Sequence, residues 1–211
     1  MSLQGKNMPV QGWFSTPIYF NKVQEPTLSI IQKEFDNVVS EFEKNNTFQY
    51  NPGWLPRTHK ISDTTFRTNF LEDYKLDTFV KELAIHLNAY VQEIGMHVTK
   101  STEFKITSSW MTKFAKNEFA HNHDHGSSDI SGAYYYAVPD DKLGGSIQFH
   151  SPVEQINASY VFENIPRYVT FPAEVGGIIL FPSWLTHRVS FNESDQDRMS
   201  VSFNISFKRE F

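Results

Sequence analysis

Arg198-Met199-Ser200-Val201-Ser202-Phe203-Asn204-Ile205-Ser206-Phe207 alternates without a break between polar and apolar residues. Successive side chains of an extended strand point to opposite faces, so Met199, Val201, Phe203, Ile205 and Phe207 share one face. Arg198, Ser200, Ser202, Asn204 and Ser206 share the other. The apolar face belongs to a core. The polar face either meets solvent or lines a cavity, and in a cavity Arg198 offers a fork for a carboxylate with the Ser200 hydroxyl beside it.

Upstream of this strand the period of two persists back to residue 104. Strands are predicted over 104–114, 117–123, 131–138, 145–149, 157–162, 167–171, 177–181, 187–191 and 198–207. Between them lie the turn signals Pro139-Asp140-Asp141, Gly144-Gly145, Ser151-Pro152, Gly176-Gly177 and Pro182-Ser183. The first half is helical instead. Residues 26–46 place Leu28, Ile31, Phe35, Val38, Val39 and Phe42 on one stripe, started by Pro26-Thr27 and stopped by Asn45-Asn46. Residues 77–94, with Leu76 just ahead, repeat the pattern through Phe79, Val80, Leu83, Leu87, Tyr90, Val91 and Ile94. Asp77 is the expected N-cap and Gly95 the stop.

One-faced helices must pack on something, and the sheet that follows is the candidate. The expected fold is mainly β (α+β): a double-stranded β-helix, or jelly roll, with N-terminal helices packed on the sheet. A single domain over 1–211 is expected, helical to about residue 100 and jelly roll over about 104–207.

Composition narrows the partners. The chain has 211 residues, with 39% hydrophobic, 20% charged and 15% aromatic residues, including 19 Phe. These proportions describe a folded globular protein. A net charge of −5 gives no general attraction for nucleic-acid phosphates or anionic membranes. No apolar run is long enough to span a bilayer, and the N-terminus lacks a signal-peptide pattern. The absence of cysteine excludes disulfides and thiolate metal sites. A cytoplasmic location is the expectation. Oligomeric state is not legible, with a homodimer among the options.

Three of the eight histidines fall within five residues, His121-Asn122-His123-Asp124-His125. Residues two apart share a strand face, so His123 and His125 can aim two imidazoles at one ion. Imidazole suits iron, zinc, copper and nickel alike. Solvated surface histidines are the bland alternative. His187 follows an apolar strand and the Phe181-Pro182-Ser183-Trp184 turn, at the mouth of the expected barrel, where ligands commonly bind. By itself it is an ordinary strand-edge residue.

The order of motifs resembles a family of 2-oxoglutarate-Fe(II) oxygenases known mostly from bacteria and phages. His123-Asp124-His125, Ser131-Gly132-Ala133-Tyr134-Tyr135-Tyr136, Phe181-Pro182-Ser183-Trp184-Leu185-Thr186-His187 and Arg198-Met199-Ser200-Val201-Ser202-Phe203-Asn204 carry the likeness, which covers residues 104–207. It implies an Fe(II)- and 2-oxoglutarate-dependent dioxygenase that hydroxylates a small molecule or a peptide side chain, releasing succinate and CO2. His123, His125 and His187 would be the metal ligands. Arg198 and Ser200 would anchor the far carboxylate of the cosubstrate, assisted by Tyr136, with Tyr134 on the same face. No catalytic residue separate from the metal site is implied.

The sequence departs from the broader superfamily at one place. The usual His-x-Asp or His-x-Glu pair is here His-x-His, which leaves the site one negative charge short. Asp124 faces the other side of a strand, although a turn at 123–126 could bring in Asp124 or His121 instead of His125.

Three rival readings stand beside this one. A cupin-type three-histidine dioxygenase would use Gly177, Pro182 and His187 with Asp129 nearby, but leaves Arg198 and Ser200 idle. A non-catalytic metal- or sugar-binding jelly roll would bind iron without consuming 2-oxoglutarate. A metallo-β-lactamase-like hydrolase needs helices interleaved through residues 126–207, where helical periodicity is absent. The substrate is not legible. Trp110, Trp184 and Tyr134 are candidates to contact it, and residues 50–70, with Trp54, Arg57, His59 and Arg67, are expected to form a covering loop.

Overall fold

The computed structural model describes residues 15–45, 49–50, 63–64, 69–95, 103–153 and 167–208. Both amphipathic stripes form helices, α1 (Thr27–Asn45) and α3 (Asp77–Glu93), with a single turn, α2 (Phe70–Asp73), between them. Ile31, Phe35, Val38, Val39 and Phe42 of α1 are buried, as are Phe79, Leu83, Leu87, Tyr90 and Val91 of α3. Gly95 ends α3 at φ 75°, a left-handed conformation that costs glycine nothing.

The expected Asp77 cap is not there. Leu76 occupies the N-cap position and makes no side-chain cap. Instead, the Glu34 carboxylate of α1 accepts the Thr78 and Phe79 amides at 3.0 and 3.2 Å. A carboxylate from the neighbouring helix satisfies two orphan donors and complements the positive end of the helix dipole.

Eleven strands are described: β1 (Tyr19–Lys22), β2 (Gln49–Tyr50), β3 (Asp63–Thr64), β4 (Glu103–Phe114), β5 (Ala120–His123), β6 (Ile130–Ala137), β7 (Ile147–His150), β8 (Tyr168–Phe171), β9 (Gly177–Pro182), β10 (His187–Val189) and β11 (Arg198–Lys208). They form a seven-stranded sheet, β1-β9-β6-β11-β4-β3-β2, and a four-stranded sheet, β5-β10-β7-β8. All the strand pairs are antiparallel. The eight strands from β4 to β11 divide evenly between the sheets, giving the expected jelly roll.

Some boundaries differ from expectation. β5 starts at Ala120 rather than 117, because Asn117 adopts φ 66° and Glu118 folds back to bond Ala115. β10 ends at Val189. The short strand β1 was not anticipated. The strand expected over 157–162 lies outside the described residues. So does most of the expected covering loop, including Trp54, Arg57, His59 and Arg67.

Two apolar clusters hold the layers together. One lies between the helices and the outer face of the large sheet, and includes Phe35, Phe79, Tyr134, Ile178, Leu180, Val201, Phe203 and Ile205. The other fills the space between the sheets, with Ala133, Tyr135, Ile147, Phe149, Ile179, Phe181 and Leu185. The alternation of β11 is therefore realised as predicted: Val201, Phe203 and Ile205 face the helices, while the Arg198-to-Asn204 polar series faces the barrel interior. That interior positions the site.

Candidate metal centre

β5 and β10 are neighbours, with His123 directly opposite His187. The turn after β5 carries His125 into the same space, where its main-chain N–H donates to the Ser183 carbonyl at 2.8 Å. The ring centroids of His123 and His187 are 4.2 Å apart, those of His123 and His125 5.1 Å, and those of His125 and His187 5.2 Å. One donor nitrogen from each lies within 4.8 Å of the other two. Donors at right angles on one ion, each about 2.1 Å away, sit about 3 Å apart, so small ring rotations would close the set.

Two tautomers are fixed by chemistry. His123 Nδ1 lies 2.7 Å from the His121 carbonyl, and His187 Nδ1 lies 2.9 Å from the Leu185 carbonyl. A carbonyl can only accept, so each Nδ1 carries the proton and each Nε2 keeps its lone pair. Burial, followed by the His123 imidazole, pushes His187 down to about 3. The same causes in the same order push His125 down to about 4, and His123 is lowered chiefly by burial. All three rings are thus neutral near pH 7, the state a metal requires.

Neither alternative second ligand joins this set. The Asp124 carboxylate accepts the Gly126 amide at 3.1 Å, capping the turn. The His121 ring packs edge-on to Phe119 at 4.7 Å.

Around the cluster runs a buried polar chain. Ser183 Oγ donates to Ser131 Oγ at 2.7 Å, Ser131 donates to Asn204 Oδ1 at 2.7 Å, and Asn204 Nδ2 donates to Ser108 Oγ at 2.9 Å. Ser183 is the residue whose carbonyl holds His125. The Trp110 ring lies 5.5 Å from the His125 ring.

Further along the same interior face sits Arg198, 2% exposed. Its guanidinium lies between the rings of Phe114 and Tyr135, at 5.1 and 5.0 Å. Nη1 donates to Ser200 Oγ at 3.3 Å, while Nε has no hydrogen-bond partner, nor does the buried Tyr135 hydroxyl. No carboxylate pairs with Arg198 among the described residues. Burial lowers the Arg198 pKa, partly opposed by Tyr135. Burial also raises the Tyr135 phenol, opposed by the guanidinium. A buried cation with no counter-ion costs several kcal/mol and points to an anion as its partner.

Two of the expected cosubstrate residues lie elsewhere. Tyr134 and Tyr136 face the helices: Tyr134 stacks on Phe35 at 5.3 Å and accepts a bond from Gln32, and Tyr136 donates to Asp36 at 2.6 Å. Tyr135 takes the place beside Arg198, opposite Ser200 in register. Alternation alone could have signalled this, since Ser131, Ala133 and Tyr135 share the face that meets Asn204, Ser202 and Ser200. Trp184, named from the sequence as a possible substrate contact, is 53% exposed.

Comparison with known proteins bears on this geometry. Residues 108–204 match a family described as "Putative 2OG-Fe(II) oxygenase". Over those 97 of its 211 residues the chain is similar to 2-oxoglutarate-Fe(II) oxygenases. Solved structures share its fold at low identity. A Pseudomonas putida prolyl-4-hydroxylase matches with TM-score 0.62 and 10% identity, over 92% of this chain and 94% of that one. HygX from Streptomyces hygroscopicus, crystallised with nickel and 2-oxoglutarate, matches with TM-score 0.56 and 12% identity, over 90% and 83%. A Trichoplax adhaerens prolyl hydroxylase, in complex with a peptide fragment of the hypoxia-inducible-factor oxygen degradation domain, gives TM-score 0.58 and 12% identity, over 90% and 83%. No curated protein sequence matches. The match favours the oxygenase reading over the cupin-type, non-catalytic and hydrolase alternatives. Iron and 2-oxoglutarate are the cofactor and cosubstrate it requires. The three-imidazole set and the unpaired buried guanidinium fit those two groups.

Proposed function

We propose that this oxygenase hydroxylates a small molecule or a peptide side chain, with iron on His123, His125 and His187 and 2-oxoglutarate anchored by Arg198. The observation that carries the reading is the buried Arg198, without a counter-ion among the described residues, inside the same barrel as three converging neutral imidazoles. Bound together, ferrous iron and 2-oxoglutarate supply oxygen activation: R–H, O2 and 2-oxoglutarate become R–OH, succinate and CO2.

The chain's own residues contribute position and exclusion of water. Arg198 leans along β11 toward Ser200, two residues short of Ser202, whose neighbour Trp110 packs against His125. Two residues of strand span about 7 Å. The end carbons of an extended five-carbon diacid are about 5 Å apart from bond lengths near 1.5 Å. His123, His125 and His187 would hold one end of such a diacid through the metal, and Arg198, on the same interior face, would hold the other.

Arg198 Nε and the Tyr135 hydroxyl supply two free donors for that carboxylate, and Ser200 orients the guanidinium. Phe149 and Phe181, packed on the His187 ring at 5.8 and 4.7 Å, keep the third ligand dry. The Ser183–Ser131–Asn204 chain fixes the carbonyl that holds His125, and so acts on the metal through position.

The test is succinate formation from 2-oxoglutarate with metal content measured alongside. His187→Ala is expected to lose iron and all turnover. Full iron occupancy and full turnover in that variant would contradict the ligand assignment.

A further inference from the structure

The three proposed ligands are not held alike. His123 closes β5 and His187 opens β10, so both rest on paired strands, while His125 lies beyond the end of β5 in the following turn. The His123 and His187 rings each donate Nδ1–H to a carbonyl, at 2.7 and 2.9 Å. Among the described residues the His125 ring has no hydrogen-bond partner. Its main chain is pinned on both sides, the N–H by the Ser183 carbonyl at 2.8 Å and the carbonyl by the Ser128 N–H at 3.0 Å. Those bonds leave the two side-chain torsions of His125 undetermined. A metal-ligating imidazole ordinarily has its second nitrogen bonded to a fixed group, which sets the orientation of the ring. For His125 another contact must set it.

Outside the histidine cluster, the ring that packs on His125 is Trp110, with centroids 5.5 Å apart and planes tilted by 34°. That separation is inside the range over which aromatic pairs attract. Trp110 stands on β4, a strand of 12 residues flanked by β11 and β3, and is paired with Ser202 of β11. A long strand inside a sheet is a rigid mount. Four residues along, on the same face, Phe114 packs against the Arg198 guanidinium at 5.1 Å. β4 thus sets one aromatic ring against each of the two proposed binding groups, about 13 Å apart along the strand. The two rings differ in exposure. Phe114 and Thr112 are buried, whereas Trp110 and Ser108 are half-buried, so the interior face of β4 begins to open at Trp110. A large ring at that point covers one side of His125 as well as packing on it.

We infer that Trp110 is a positioning residue of the metal centre: its indole holds the His125 imidazole in the pose that lets it meet an ion together with His123 and His187. The inference rests on reading these three histidines as the iron ligands. Without the indole the His125 ring is free to turn about its own torsions, while His123 and His187 keep their carbonyl-fixed orientation. Metal binding then weakens through His125 alone.

Co(II) titration of the metal-free full chain, followed by the visible absorption of the bound ion, tests this without turnover. Trp110→Ala is expected to raise the Kd for Co(II) about tenfold, the lower end of what losing an outer partner of a ligand costs. Trp110→Phe keeps a ring against the imidazole and is expected to stay within about threefold of the wild type. In a His125→Ala background, Trp110→Ala is expected to change the Kd by less than about twofold, because an effect that runs through His125 vanishes with it. Urea melts of the metal-free proteins establish that each variant is folded. Trp110→Leu, with a several-fold rise expected, takes the place of the alanine variant if that one does not fold.

A Kd unchanged when the ring is removed, a loss in Trp110→Phe as large as in Trp110→Ala, or the same loss with and without His125 would overturn the inference and leave the metal centre standing. Failure of the wild type to bind Co(II) would overturn the metal centre itself, and the inference with it.

Discussion

Arg198→Met separates a binding role from a structural one, because the two roles predict opposite signs. In the absence of cosubstrate the buried guanidinium has no carboxylate partner among the described residues, one weak bond to Ser200, and two aromatic neighbours. Methionine keeps most of the stem and its ring contacts. The variant loses cation–π attraction of about 0.5–2 kcal/mol and a hydrogen bond worth about 1 kcal/mol. It also removes an uncompensated buried charge, whose desolvation costs several kcal/mol. The protein without cosubstrate is therefore expected to be unchanged or more stable, with a denaturation midpoint at or above that of the wild type.

Cosubstrate binding moves the other way. Truncating one partner of a buried, hydrogen-bonded charge pair costs about 2–5 kcal/mol, which at about 1.4 kcal/mol per factor of ten raises KM for 2-oxoglutarate by roughly 30- to 4000-fold. Steady-state succinate formation against 2-oxoglutarate, with urea melts of the same preparations, measures both. A KM within threefold of wild type together with a large loss of stability would refute the anchoring role.

Other outcomes follow from the same geometry. Tyr135→Phe removes a donor to a charged group, worth about 1.5–3 kcal/mol, so KM for 2-oxoglutarate is expected to rise roughly 10- to 150-fold. Tyr136→Phe, which loses only its bond to Asp36, is expected to leave KM unchanged. Ser131→Ala strands Ser183 Oγ and Asn204 Oδ1 in the interior, and is expected to cost about 1–3 kcal/mol of stability by urea melt and to weaken metal binding by titration. At Gly132 an added Cβ would sit 2.6 Å from the Phe203 ring and 2.7 Å from the Ile179 carbonyl oxygen, so Gly132→Ala is expected to destabilise by about 1–3 kcal/mol, read by thermal melt.

The metal-free protein should also be acid-sensitive. His125 and His187 sit at about 4 and about 3 when folded, against 6.5 when unfolded, so the unfolded chain binds more protons between those limits. Their stability contribution is complete above pH 6.5 and is lost as pH falls toward 3. Melting temperatures of chelator-treated protein at pH 7.5 and pH 5 check this, with a lower value expected at pH 5.

Much of the jelly roll was legible because β11, β4 and both helices each bury one face and expose another environment on the other. Where that contrast fails, so did the reading. From Ile130 to Tyr135 every residue of β6 is buried, between helices on one side and the opposing sheet on the other. A strand covered on both faces carries no inside–outside sign, so Tyr134 and Tyr136 were expected on the interior face that Tyr135 occupies. The β11–β6 register also shifts between Met199 and Ser200, which breaks simple counting across the pair. The Asp77 cap failed for a different reason: the group that replaces it, Glu34, comes from another helix, and no local window contains it.

The clustering of the three histidines was legible from the His-x-His spacing and the turn before His187. The tautomer-fixing carbonyls of His121 and Leu185 were not, because a backbone contact two residues away depends on how each strand bends. The packing of Trp110 on His125 was invisible for the same reason, since it joins a strand and a turn brought together only by folding.

The central claim is that one barrel couples iron on three histidines to 2-oxoglutarate on Arg198. The most direct measurement is CO2 release from 1-labelled 2-oxoglutarate alongside oxygen uptake, in wild type, His187→Ala and Arg198→Met. The account predicts one CO2 per O2 in the wild type, none in His187→Ala, and recovery of Arg198→Met only at greatly raised 2-oxoglutarate. Oxygen uptake that persists when 2-oxoglutarate is omitted, or CO2 release undiminished in His187→Ala, would contradict it.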